Sequence, residues 1–228
     1  MSRLKQDQKI LVTEIFHSIQ GEGTAAGVPF VFVRLTGCNL RCTYCDSAYA
    51  FKGGTLRDIP SVIDEVRSYG CREVLITGGE PLMQRSTPAF CRTLVSQGFS
   101  VSIETHGEAD ISQVAPFAKI IMDIKTPGSG MSRGGYTRNL RHLKTGDEIK
   151  FVITSKSDYE WARRLITERR LPTRTILFSA ANPAVHAPGK FEGIELRWLA
   201  EKMLEDRVPA RLQIQLHKLI WGPEKTGV

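Results

Sequence analysis

The sequence predicts an α/β fold, an open (partial) βα barrel, and three observations carry that expectation. Apolar, β-branched runs alternate with amphipathic stretches along the chain. The strand candidates are near-continuously apolar, as strands of a parallel sheet covered on both faces are. Polar, glycine-rich segments follow the strand ends: "TGC", "TGGEP", "ETHG", "DIKTPGSG" and "FSAANP". Parallel α/β folds collect their active sites at that end of the sheet. About six such units fit into 228 residues, too few for a closed eight-stranded barrel. A doubly wound sheet is the alternative architecture.

The elements follow in order. Strands are expected over 10–16, 30–36, 73–77, 100–105, 119–125, 148–154, 175–180 and 211–217, each a short apolar run rich in Ile, Val and Phe. Helices are expected over 60–70, 86–98, 157–170 and 194–206. The first is punctuated by Pro60 at its start and Gly70 at its end. No repeat, low-complexity segment or linker divides the chain, so residues 1–228 read as one domain with short terminal extensions.

Composition excludes the disordered and fibrous classes. No apolar run reaches the length of a membrane span, and "MSRLKQDQKI" lacks an apolar signal region, so the expected location is cytoplasmic. The net charge is +7, a bias that suits an anionic substrate or an acidic protein partner rather than nucleic acid. Basic residues are densest over 133–144 and 161–174; the second stretch reads as a solvated helix face.

Three of the five cysteines fall within "GCNLRCTYCDS", at Cys38, Cys42 and Cys45. Clustered thiols in a cytosolic chain point to metal rather than to disulfides. A structural zinc site takes four ligands, and here a distant His would have to supply the fourth. A cubane iron–sulfur cluster is the other reading: three thiolates leave one iron with an open position. Cys71 and Cys91 stand apart and read as structural thiols.

Cys-x3-Cys-x2-Cys, with Tyr44 before the last cysteine, resembles the signature of the radical S-adenosylmethionine (SAM) superfamily. "TGGEP" resembles its Gly-Gly-Glu motif. The resemblance implies a partial barrel of the radical SAM type. It implies a 4Fe–4S cluster on Cys38, Cys42 and Cys45, whose open iron is chelated by SAM and whose electron cleaves it to a 5′-deoxyadenosyl radical. Tyr44 would shield the cluster and contact SAM, and Gly78, Gly79 and Glu80 would hold the methionine end.

The stretch from Glu14 to Ser47, with "VLITGGEP", "SIETHG", "MDIKTPGSG" and "LQIQLHKLIWGP", is similar to the 7-carboxy-7-deazaguanine synthase family. That resemblance implies a carbon–nitrogen lyase of 7-deazapurine (queuosine) biosynthesis. Its substrate is 6-carboxy-5,6,7,8-tetrahydropterin, its product 7-carboxy-7-deazaguanine, and it releases ammonia. It further implies pterin contacts from Ile19, Gln20, Gly21, Glu22, Arg34, Thr77 and His217. SAM contacts would come from Asp123, Ile124, Lys125 and Ser179, and a Mg²⁺ would sit on the Ser47 hydroxyl. The partners implied are a second copy of the chain and an electron donor such as flavodoxin, docked on the basic stretch 133–144; neither nucleic acid nor membrane is expected. Two other readings stay open on the residues alone. A glycyl-radical activating enzyme shares the cysteine spacing, and a non-enzymatic zinc-binding module shares the clustered thiols.

Overall fold

Residues 8–169, 171–181, 193–222 and 225–228 are described by the computed structural model. The chain opens with an antiparallel hairpin of β1 (Lys9–Ile19) and β2 (Pro29–Leu35). From β2 onward the sheet is parallel. It runs through β4 (Glu73–Gly78), β5 (Ser100–Thr105), β6 (Lys119–Asp123), β7 (Glu148–Ile153), β8 (Thr175–Ala180) and β9 (Arg211–Gln213). A short strand, β3 (Thr55–Asp58), adds to the far side of β1. The sheet has nine strands in the order β3-β1-β2-β4-β5-β6-β7-β8-β9. Its two edges, β3 and β9, do not pair, so the barrel is open as the sequence predicts.

Helices pack on the outer face through apolar residues at helical spacing. Helix α1 (Ile59–Ser68) buries Ile59, Val62, Ile63 and Val66; α2 (Thr87–Ser96) buries Phe90, Cys91 and Leu94. A short α3 (Tyr136–Asn139) follows β6. Helix α4 (Lys156–Glu168) buries Tyr159, Ala162, Leu165 and Ile166, and the Ser155 side chain caps it by accepting from the Asp158 amide. Helix α5 (Leu196–Glu205) adds Leu199 and Met203. These residues join the strands' outward side chains in one core cluster. On the opposite face Phe16 and Phe32 stack with ring centroids 4.8 Å apart, beside the open interior of the barrel.

Two differences from the sequence reading have physical causes. β3 is four residues long and mostly exposed, with no alternation to betray it; pairing with β1, from Lys9↔Asp58 to Val12↔Thr55, makes it a strand. The strand expected over 211–217 ends at Gln213, and Leu216–Trp221 form a helix, α6. The chain leaves the sheet there because it bonds to the β1–β2 loop instead: the Leu216 amide donates to the Gly21 carbonyl at 3.0 Å. No described helix is long and apolar enough to cross a membrane.

Candidate active site

The C-terminal ends of the parallel strands open into a cavity of about 480 Å³. The loop after β2 forms its rim and carries Cys38, Cys42 and Cys45, all three on the cavity wall. The loop is tied down on both sides. The Thr43 amide donates to the Ser129 carbonyl (3.1 Å) and its hydroxyl to the Gly128 carbonyl (2.9 Å), on the loop after β6. Arg41 donates to the carbonyls of Cys38 and Leu40 and lies over the Phe51 ring. Burial raises the thiol pKa of all three cysteines, that of Cys45 to about 11. They are protonated at neutral pH until a metal displaces the proton.

Next to this loop lies the turn that ends β4. Gly78 has φ +142°, and a Cβ there would fall 2.1 Å from the Leu35 carbonyl oxygen. A Cβ on Gly79 would fall 2.1 Å from the Gly37 oxygen and 2.9 Å from Cys38 Cβ. Glycine is therefore required by close backbone approach: the double-glycine turn and the cysteine loop are packed as one unit. The Glu80 amide completes the seam by donating to the Gly37 carbonyl at 2.7 Å.

The deep wall is built from charges on three strands and one loop. Lys150 of β7 is 5% exposed and pairs with Glu22 (2.9 Å), Glu104 and Asp123 (3.6 Å). Burial opposes its charge, but the carboxylates of Glu104 and Glu22 outweigh burial and hold its pKa well above the usual lysine value. Burial likewise opposes ionisation of Glu22, yet Lys150 and the amide of Gln215 pull its carboxyl from 4.5 down to about 2. A depressed carboxylate stabilises the fold above its unfolded pKa and ceases to do so as the pH falls through its folded value. The window here is pH 4.5 down to about 2, and the shift corresponds to roughly 3 kcal/mol. Urea unfolding of the metal-free protein should lose that increment across this window. Glu22→Gln should start less stable at pH 6 and lose correspondingly less on acidification. Equal acid losses in the two proteins would contradict the pairing.

The cavity gathers most of the residues singled out from sequence. Ile19, Gln20, Gly21, Glu22, Arg34, Thr77 and His217 line it, as do Tyr44, Gly78, Gly79, Asp123, Lys125, Ser179 and Ser47. Arg34 is held by Glu14 at 2.7 Å. The Ser47 hydroxyl donates to Asp46 Oδ1 at 3.0 Å. His217 sits in helix α6 rather than at a strand end, and burial lowers its pKa despite the nearby Glu22. Glu80 and Ile124 are not on the wall. Glu80 is fully buried, its carboxylate accepting from the amides of Leu82 and His106 and from the Thr105 hydroxyl. Burial raises it to about 7 against those bonds. Ile124 packs in the core.

Of the four charged residues of the deep wall, Lys150 and Glu104 were not singled out; the half-buried Gln215 joins His217 on the wall. Lysine in the middle of the apolar run "EIKFVI" was the available signal, because a buried lysine needs partners. Lys225, Thr226, Gly227 and Val228 also line the cavity, while Pro223 and Glu224, where the tail begins, lie outside the described residues.

The donor set fits an iron–sulfur cluster with SAM. Among the described residues no three His, Cys, Asp or Glu converge on a single point as the ligands of one metal ion do. The three thiols share one wall, and a polynuclear cluster takes each thiolate on a different iron. Asp123 Oδ1 is buried on the wall with no hydrogen-bond partner among the described residues, an acceptor suited to a ligand hydroxyl.

Comparison with known proteins agrees with this geometry. Residues 32–125 match the Radical SAM superfamily. The 7-carboxy-7-deazaguanine synthase of Koribacter versatilis is 41% identical over 95% of this chain and 99% of its own. That of Chlorobaculum tepidum is 38% identical over 95% and 96%. The crystal structure of QueE from Escherichia coli superposes with a TM-score of 0.70 at 22% identity, covering 93% of this chain and 98% of that one, which speaks for the shared fold. Identity of this extent, spread over nearly the whole of both chains, means that the chain belongs to the 7-carboxy-7-deazaguanine synthase family of radical SAM enzymes.

Proposed function

We propose that this chain converts 6-carboxy-5,6,7,8-tetrahydropterin to 7-carboxy-7-deazaguanine with release of ammonia, a step of 7-deazapurine (queuosine) biosynthesis. The observation that carries the reading is the single cavity that joins the cysteine loop and the Gly78–Gly79 turn to Gln20, Glu22 and Arg34. When bound, the 4Fe–4S cluster and SAM supply one-electron cleavage and hydrogen abstraction. The chain's own work is to hold both molecules in contact and exclude water.

Cys38, Cys42 and Cys45 hold the cluster. Tyr44, Gly78, Gly79, Asp123, Lys125 and Ser179 contact SAM, with Glu80 and Ile124 acting through the backbone they fix. The depressed pKa of Glu22 keeps it an acceptor for ring N–H groups, with Gln20 and the backbone of Ile19 and Gly21 beside it. Thr77 and His217 complete the pterin contacts, and Arg34 pairs with a carboxylate of the substrate. Ser47 offers its hydroxyl to a Mg²⁺ that would neutralise the same carboxylate. Residues 1–228 act as one radical SAM domain, which the continuous sheet supports.

A second copy of the chain and a cytoplasmic setting are part of the same reading. So is an acidic electron donor of the flavodoxin type, docked on the basic stretch 133–144. That stretch follows the loop that ties down the cysteines, and Arg133 and Arg141 are exposed on it. Arg138 and Lys144 bond to backbone carbonyls of Glu108, Ala115 and Ala118, so they also hold the segment's shape.

The test is an anaerobic assay of the reconstituted protein with SAM, reductant, Mg²⁺ and the pterin, read by mass spectrometry. The expected product is lighter than the pterin by one ammonia. Release of 5′-deoxyadenosine without that product would keep the superfamily assignment and overturn the substrate.

A further inference from the structure

The β1–β2 loop carries Gln20 and Glu22 into the cavity, yet it starts at the opposite end of the sheet from the cysteine loop. Pro29, Lys119 and Glu148 are the first residues of β2, β6 and β7, so the loop crosses beneath the strands. One cluster fixes it there. Glu148 is buried, 1% exposed, and its Oε1 accepts from the Thr24 amide (3.1 Å) and the Thr24 hydroxyl (2.5 Å). Lys119 Nζ donates to Thr24 Oγ1 at 2.6 Å and pairs with Glu148 Oε1 at 2.6 Å. Gly23, at φ +71°, leaves room for the same carboxylate: a Cβ there would fall 2.4 Å from Glu148 Oε2. None of Thr24, Lys119 or Glu148 lines the cavity.

We infer that Thr24, Glu148 and Lys119 form a latch that positions the pterin-binding loop, and so are positioning residues for substrate recognition that leave the cofactor half untouched. Two features support this. The latch is separate from the bonds that hold Glu22 itself, which come from Lys150, Gln213 and Gln215. It also bonds within two residues of Glu22, where a small backbone shift moves the carboxylate against ring N–H groups. A buried carboxylate that loses its hydroxyl donor cannot take a water in exchange, so the loop must shift or that lone pair stay unbonded.

The inference rests on the pterin reading of the cavity, and its test separates the two. Thr24→Val keeps the side-chain shape and removes the hydroxyl that both donates to Glu148 and accepts from Lys119. In the reconstituted enzyme we expect the KM for the pterin to rise roughly tenfold, the size of one charge-assisted hydrogen bond. The kcat should stay within about twofold, with SAM affinity and iron content unchanged, because only uniform substrate binding is lost. Thr24→Ser restores the hydroxyl and should restore the KM. Amide hydrogen exchange over residues 20–26 should quicken in Thr24→Val and return to the wild-type rate in Thr24→Ser. An unchanged KM overturns the inference. So does a parallel loss of SAM affinity or iron, which would mark Thr24 as merely structural. If the wild-type enzyme does not turn over the pterin, the functional reading falls, and hydrogen exchange alone decides the latch: unaltered exchange in Thr24→Val overturns it.

Discussion

Replacing Lys150 with methionine is expected to cost the metal-free protein on the order of 3–5 kcal/mol of stability, the range for breaking a buried ion pair by removing one partner. The size follows from the environment. Lys150 is the shared cation of Glu22, Glu104 and Asp123. Methionine fills a similar volume and supplies no charge, so carboxylates of two strands and a loop are left facing one another. Protonation would relieve the repulsion, so the variant should regain stability on mild acidification where the wild type does not. Adding Glu22→Gln to Lys150→Met should cost less than the sum of the two single changes, by about 1 kcal/mol or more. Urea titrations at pH 5 and pH 7.5 on the four proteins of this cycle measure both effects. A loss under about 1 kcal/mol for Lys150→Met would mean that water reaches the cluster and that the cation is replaceable.

Cys42→Ala is expected to abolish activity without unfolding the chain. Three thiolates are the minimum set for a cubane with one open iron, and no other described cysteine reaches the cavity wall. Iron and sulfide should fall to background, the brown absorbance should vanish, and neither 5′-deoxyadenosine nor the deazaguanine product should form. The loop itself should survive, because its ties run through Thr43 to Ser129 and Gly128 and through Arg41 to carbonyls, not through the thiol. Cys91→Ala supplies the contrast. Cys91 is fully buried in the core, so its loss should leave iron content intact and lower stability by about 1 kcal/mol. Full iron in Cys42→Ala would remove it from the ligand set.

What the sequence disclosed divides along physical lines. Every apolar run long enough to be buried on both faces is a strand, and the four long amphipathic stretches are helices, because burial writes its own periodicity. Strand β3 and helix α3 left no such trace: one exists by pairing with β1, the other is a single turn after a glycine-rich loop. The C-terminal run 211–217 has strand-like alternation, but a competing set of hydrogen bonds to Gly21 and Glu22 bends it into α6. Motif spacing located the cysteine loop and the double-glycine turn because both chemistries act within a few residues of one another in sequence. The Lys150 network did not show itself in the same way. Glu22, Glu104, Asp123 and Lys150 are dispersed over nearly the whole first two-thirds of the chain; parallel strand register brings the last three together and the β1–β2 loop carries Glu22 to them.

The superfamily match begins at Phe32, inside β2, and leaves out both β1 and the loop that carries Gln20 and Glu22. Strand β1 is antiparallel to its neighbours β2 and β3 and lies near one margin of the sheet. In the proposed reading Gln20 and Glu22 therefore reach the substrate from outside the matched stretch, while Arg34 and Thr77 reach it from within. Such an arrangement would make the β1–β2 loop the part of that site open to exchange by itself. A new loop with other side chains would meet the same cysteines and the same double-glycine turn, so selection, or an engineer, could vary one part of what is bound without rebuilding the part that performs the chemistry.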